Sequence, residues 1–297
     1  METFAFSKTM NKHKQQFSYF FAAATTAMFL ALAMPAAHPQ AQAQSQPGVD
    51  RITVTLSDPA RTALVKAGLV NGSITVKAYE GKEVIVEARA HNRESGKNEG
   101  NMKRLAVNTT GLSVEEENNE VRIGTDSHMR AIDLTISVPS RTSLHLRAVN
   151  DGDIAVTGVE GELDVDDVNG SVTLNNISGS AVAHALNGRL LATFTRVNPQ
   201  KSMAFSSLNG DVDVTFPPDL KANVSIRTDQ GDVFSDFDVQ LQASSAQPMV
   251  EDSRGKGGKY RVKIDKTVHG AINGGGPEFQ FTNFNGAIYI RKAGAPR

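Results

Sequence analysis

Residues 152–196 read GDIAVTGVE GELDVDDVN GSVTLNNIS GSAVAHALN GRLLATFTR, nonapeptides that each open on a glycine. Two positions after Gly152, Gly161, Gly170, Gly179 and Gly188 stand Ile154, Leu163, Val172, Ala181 and Leu190. Four positions after them stand Val156, Val165, Leu174, Ala183 and Ala192. A fixed short period carrying apolar residues in alternation is the mark of repeated β-strands. Nine positions hold a strand of four to six residues and a tight corner, where glycine is expected for its freedom to take φ > 0.

The residue before each glycine alternates: Asp151, Glu160, Asn169, Ser178, Asn187. An Asn or Asp stands at every second corner, so the true unit is about 18 residues with two unlike corners. Two arrangements fit an all-β chain of this kind. One is a parallel β-solenoid, β-helix-like, whose coils of about 18 residues stack at the strand spacing of about 4.8 Å. The other is an antiparallel meander or sandwich in which Asn-Gly closes hairpins. The odd corners lack hairpin dipeptides and the apolar positions stay in phase, which favours the solenoid with less regular strands toward the N-terminus. In that register Ile154/Val172/Leu190 and Val156/Leu174/Ala192 form core rows. Outward side chains 18 apart become neighbours: Asp166 beside His184, and Asp153, Ser171 and Arg189 in one row.

On the N-terminal side, strands are expected at 51–56, 64–69, 74–76, 84–88, 105–108, 112–115, 121–124, 132–138 and 144–147, with a loop at 91–100. On the C-terminal side the unit returns at 208–214, 230–234 and 285–290. A polar loop is expected at 240–258, a strand at 260–264 and a break at Gly274-Gly275-Gly276-Pro277. Residues 44–59 read as a linker (44–48) and the first strand, 60–292 as the repeat domain, and 293–297 as a tail.

The first 43 residues read as a targeting segment. Lys8, Lys12 and Lys14 precede an Ala-rich, almost uncharged run from Phe17 to Met34, and Ala41-Gln42-Ala43 offers a small-x-small cleavage site. The run is long enough to serve instead as an uncleaved anchor, the one membrane contact the sequence suggests. Cleavage leaves 28 basic and 31 acidic side chains, a net charge of −3. A periplasmic, cell-surface or secreted location follows. With no cysteine there is no disulfide, thiol nucleophile or zinc-thiolate site. No basic stripe points to nucleic acid; Arg254, Lys256, Lys259 and Arg261 read as a solvated Gly-rich turn.

The Asn-Gly-Asp/Ser-Val/Ile-x-Val units, the Phe216-Pro217-Pro218 strand end and the Gly-Gly-Gly-Pro-Glu turn before Asn285-Gly286-Ala287-Ile288 carry a likeness. Over roughly residues 60–292 the chain resembles a bacterial β-strand-repeat domain of unknown function, the "putative adhesin" domain. The resemblance implies the fold and export and supplies no catalytic residues. The chain departs from the pattern at Ala181, Ala183 and His184, where the repeat is thinly filled.

Calcium-binding β-rolls need paired glycines with Asp in phase, and here Asp153, Asp164, Asp166 and Asp167 fall out of phase. Asp166 beside His184 has the chemistry of an acid–base pair, but the same pairing recurs on ordinary surfaces. Asp164 and Asp166, two apart on one strand, lie about 7 Å from each other, a spacing that suits an inverting glycosidase. No His-Glu-x-x-His, phosphate loop or nucleophile elbow is present. The sequence therefore assigns no catalytic, cofactor or metal residue. It reads as an exported, non-catalytic envelope module with glycans or envelope and surface proteins as partners. A carbohydrate-active β-helix enzyme, lyase or hydrolase, and an envelope-stress signalling accessory are the alternatives.

Overall fold

The computed structural model describes residues 42–46, 49–91, 110–126, 130–150, 152–242, 249–252, 260–263 and 267–295. The proposed targeting run 17–34 and the expected strand 105–108 lie outside them, as do most of the 91–100 loop and Arg254, Lys256 and Lys259. Among the described residues there are strands and no helix, and so none long and apolar enough to cross a membrane. The fold is all-β, with one mixed sheet running through two ladders of parallel strands.

In the first ladder, Ile154–Thr157 pairs in parallel with the start of Val172–Ala185, which pairs with Leu190–Val197, which pairs with Val212–Phe216. In the second, Thr142–Asn150, Glu160–Asp167, the end of Val172–Ala185 and Met203–Asn209 pair in the same sense. Each rung thus gives one strand to each ladder. Ile154 faces Val172 and Val172 faces Leu190, while Val156 faces Leu174 and Leu174 faces Ala192, as the 18-residue unit requires. All six are fully buried.

The rungs do not stack in chain order. Ala63–Asn71 with Ile74–Tyr79 lies between Thr142–Asn150 with Ile154–Thr157 and the later-occurring Glu120–Thr125 with Ile132–Pro139. At the other end, Glu278–Asn285 with Ile288–Lys292 inserts between Met203–Asn209 with Val212–Phe216 and the earlier Ala222–Gln230 with Val233–Ser235. The unit at 285–290 is therefore last in sequence but not in space. Within this sheet, antiparallel strands are confined to the ends. Glu83–Ala90, Val49–Thr55 and Gln42–Gln46 extend one ladder, Leu112–Glu117 flanks the other, and Val268–Ile272 with Val239–Leu241 closes the far end. The linker read at 44–48 is thus partly strand. The polar loop read at 240–258 contains Met249–Asp252, which pairs antiparallel with Tyr260–Lys263.

At the Asn-Gly corners only Gly72 and Gly286 have positive φ, at 117° and 141°, so the other glycines there serve a different purpose. A Cβ on Gly170 would lie 2.0 Å from the carbonyl oxygen of Gly152, and one on Gly188 would lie 2.0 Å from that of Gly170. Neither glycine has a left-handed φ; at the opposite corner Gly179 does, at 122°. Stacked backbones approach too closely for any side chain, so glycine recurs at this corner on the successive rungs of Gly72, Gly152, Gly170, Gly188, Gly210, Gly286 and Gly231. The preceding asparagines form an amide ladder. Asn169 Nδ2 donates to Asn150 Oδ1, Asn187 Nδ2 to Asn169 Oδ1 and Asn209 Nδ2 to Asn187 Oδ1, each at 2.9 Å.

The core is aliphatic at the N-terminal rungs and aromatic toward the C-terminus, where Phe194, Phe205, Phe216, Phe279 and Phe281 interlock. Ala183 is thinly filled because its rung neighbour Phe205 occupies the space beside it.

Candidate interaction surfaces

On the outer face of the second ladder, ionisable side chains pair between rungs. His145 Nδ1 lies 2.8 Å from Asp164 Oδ2, and Arg147 Nε 3.3 Å from Asp166 Oδ2. Lys66 and Arg122 each lie 2.7 Å from Glu120 Oε1, and the Lys66 bond foremost, with the charges of both, holds its carboxyl below the usual range against burial's opposing pull. Asp166 and His184 are Cα partners, as the 18-residue register demands. Their bonds run to opposite sides, however: Asp166 to Arg147, and His184 Nδ1 to Ser206 Oγ. The carboxylate–histidine contact forms instead one position pair over, at Asp164 and His145. Asp164 and Asp166 both face outward on an open surface. Asp153 and Ser171 share a row and touch through the backbone, Ser171 N–H donating to Asp153 Oδ1 at 2.8 Å. Arg189, next in that row, turns to Asp213.

An open groove of about 460 Å³ lies over the opposite corner, lined in part by Gly161 and Gly179. Its Glu160 is bound by Arg196, and Glu162 lies 2.8 Å from Lys201.

A second surface follows the Asn-Gly corner. Val70, Val149, Leu186, Leu208 and Phe284 stand immediately before the ladder asparagines and are 37–45% exposed. They are half of the exposed large apolar side chains among the described residues. Half-buried Val168 continues the row, so six consecutive rungs carry an apolar side chain over about 24 Å at the strand spacing. Asp229 ends the row on the last rung. A third feature lies at that end, where Phe234 stacks on Tyr289 at 5.2 Å and Arg291 covers Tyr289 at 4.8 Å. Arg291 also bonds Asp213, which is 4% exposed and receives Arg189 as well. No group of three or more metal-ligating residues occurs among the described residues.

The model of the family Toastrack DUF4097 matches residues 50–273. Among solved structures, the chain is similar to a "putative cell adhesion protein" of Clostridium sporogenes at 9% identity and a TM-score of 0.42, covering 86% of this chain and 100% of that one. It is also similar to a "putative adhesin" of Bacteroides fragilis at 12% identity and 0.39, covering 84% and 100%. No curated protein matches the chain.

Proposed function

Since the chain belongs to the Toastrack DUF4097 family, we propose that it is an exported, non-catalytic envelope module whose Asn-Gly corner is its contact surface. In this reading the parallel rungs form a β-solenoid closed at both ends by antiparallel strands. The observation that carries the proposal is the straight apolar row from Val70 to Phe284 beside the asparagine ladder. A contiguous apolar strip of this size ranks with the largest patch on a typical soluble protein, and such patches are often functional.

The partner proposed is a linear envelope glycan lying along the row. The row is one side chain wide, and its apolar area is on the order of a few hundred Å², well under the roughly 800 Å² per partner that stable protein complexes use. Amides in line beside it offer donors and acceptors to hydroxyl groups at regular intervals. The export reading rests on the basic start, Ala-rich run and small-x-small site of residues 1–43.

Co-sedimentation of the protein with insoluble bacterial wall glycan, with release of reducing ends followed in the same tubes, tests both halves. Saturable binding without new reducing ends, weakened at least tenfold by Leu186→Asp with Leu208→Asp, is expected. Glycan turnover, or binding indifferent to both substitutions, overturns the proposal.

A further inference from the structure

Inside the Asn-Gly corner a row of side chains packs under the glycine stack. On successive rungs it holds Leu69, Ala148, Asp167, Ala185, Ser207 and Asn283. Ser207 and Asn283 each donate to the carbonyl of the corner glycine one rung back. Ser207 Oγ donates to Gly188 O at 3.0 Å, and Asn283 Nδ2 to Gly210 O at 2.8 Å. Each of these residues stands two before the rung's asparagine and three before its glycine.

Asp167 occupies the same place, two before Asn169 and three before Gly170, so its counterpart acceptor is Gly152 O. It is 2% exposed. Its Oδ1 accepts the Gly170 N–H at 2.8 Å, while Oδ2 is buried without a partner. That Oδ2 and Gly152 O border one small space, 2.7 and 2.0 Å from the point where a Cβ on Gly170 would sit. Where a hydroxyl and an amide donate on other rungs, an ionised Asp167 sets one acceptor against another.

We infer that Asp167 is a proton-operated latch. Protonated, its carboxyl donates O–H to the carbonyl of Gly152 and ties the rung of Glu160–Asp167 to the one before; ionised, it leaves that junction without its bond.

The electrostatics agree with the geometry. Burial, above all, pushes the Asp167 carboxyl up to about 6 from its ordinary 3.8, and the charge of Asp153 on the preceding rung adds to this. Backbone N–H groups of Gly170, Asn169 and Ile154 pull the other way. The flanking positions in the row, Ala148 and Ala185, do not titrate. Asp164 and Asp166 on the same strand face outward to His145 and Arg147. Because the folded pKa is raised, the stability carried by this proton is complete below the unfolded value near 3.8. It is lost as pH rises through 6.

The test is thermal unfolding of the wild-type chain and Asp167→Asn at matched pH values from 5 to 7.5. The asparagine supplies a permanent donor, as Asn283 does. From pH 5 to 7.5 the wild type should lose about tenfold in its folding constant relative to the variant, about 1.4 kcal/mol. That corresponds to a midpoint falling by roughly 3–6 °C more than that of Asp167→Asn. Equal pH slopes for the two proteins overturn the latch. Should Asp167→Asn fail to fold, carbon-13 carboxyl titration of the wild type decides: an aspartate titrating near 6 supports it, and none above pH 5 refutes it.

Discussion

The most direct structural perturbation is a single methyl group at Gly170. Its carbon would sit 2.0 Å from Gly152 O, 2.7 Å from Asp167 Oδ2 and 2.8 Å from Gly152 C, so the two rungs must part by at least about 1 Å. Parting them strains bonds that cross the same junction: Asn169 Nδ2 to Asn150 Oδ1 at 2.9 Å and Ser171 N to Asp153 Oδ1 at 2.8 Å. Overpacking of this kind costs about 1–3 kcal/mol. Each weakened hydrogen bond adds up to about 1 kcal/mol. The stiffer unfolded chain returns less than about 1 kcal/mol. The net expectation for Gly170→Ala is a loss of about 3 kcal/mol, or roughly 6–12 °C in Tm for a domain of this size. Two glycines serve as references. Gly68, within Ala63–Asn71, has nothing within 4 Å of an added Cβ, so Gly68→Ala should be neutral or slightly stabilising. Gly274 is equally open but has φ +85°, so Gly274→Ala should cost about 1–2 kcal/mol from backbone strain alone. Urea unfolding of the three variants would rank them. A Gly170→Ala midpoint within error of Gly68→Ala would refute the close-approach account of the corners.

Other expectations follow from particular contacts. Phe205→Ala removes a ring that meets Phe194, Phe216 and Phe281, and should cost about 3–5 kcal/mol by urea unfolding. Arg291→Ala takes from nearly buried Asp213 its 2.7 Å partner and should cost about 2–3 kcal/mol by urea unfolding. Asn187→Asp cannot donate to Asn169 Oδ1 and should destabilise by about 1 kcal/mol more at pH 7 than at pH 3. Burial works to raise the Asp133 carboxyl, but bonds from Ser73 and His91 outweigh it and hold it below its usual range. Its stabilisation is present above the ordinary value of 3.8 and lost as pH falls through the lowered one. Ser73→Ala, followed by acid titration of ellipticity, should therefore move acid unfolding to higher pH.

Period-two alternation and the 18-residue offset made the central register legible, down to Asp166 beside His184. The rungs' spatial order was hidden because the units at 208–214, 230–234 and 285–290 carry near-equivalent patterns. Nothing local distinguishes a neighbour in sequence from a neighbour in space. Glycine at the corner was readable, and positive φ is its reason at Gly72, Gly179 and Gly286, but not at Gly170: φ is a property of one residue, whereas the Gly170–Gly152 contact belongs to two rungs. The apolar corner row was within reach, since counting in twos from buried Ala183 and Ala185 puts Leu186 outside. Apolar character alone does not mark it, because Val159 and Ile177, apolar residues in the matching place at the alternate corners, are buried. The bond choices of His184 and Asp166 were not legible, as each had a partner available on either side.

The central structural claim is the interleaved stacking of the rungs, and a chain without cysteine allows a clean test by introduced disulfides. Asn209 and Asn285 are Cα partners, as are Asn285 and Gln230, which leaves Asn209 and Gln230 two rungs apart. One rung is about 4.8 Å and two are about 9.6 Å, against a disulfide range of roughly 4.4–6.8 Å between Cα atoms. Mild oxidation of the double variant Asn209→Cys/Asn285→Cys should give an intramolecular cross-link in high yield. Asn209→Cys/Gln230→Cys should remain reduced. Cross-linking of the second pair and not the first would mean that the rungs stack in chain order, and would contradict the account.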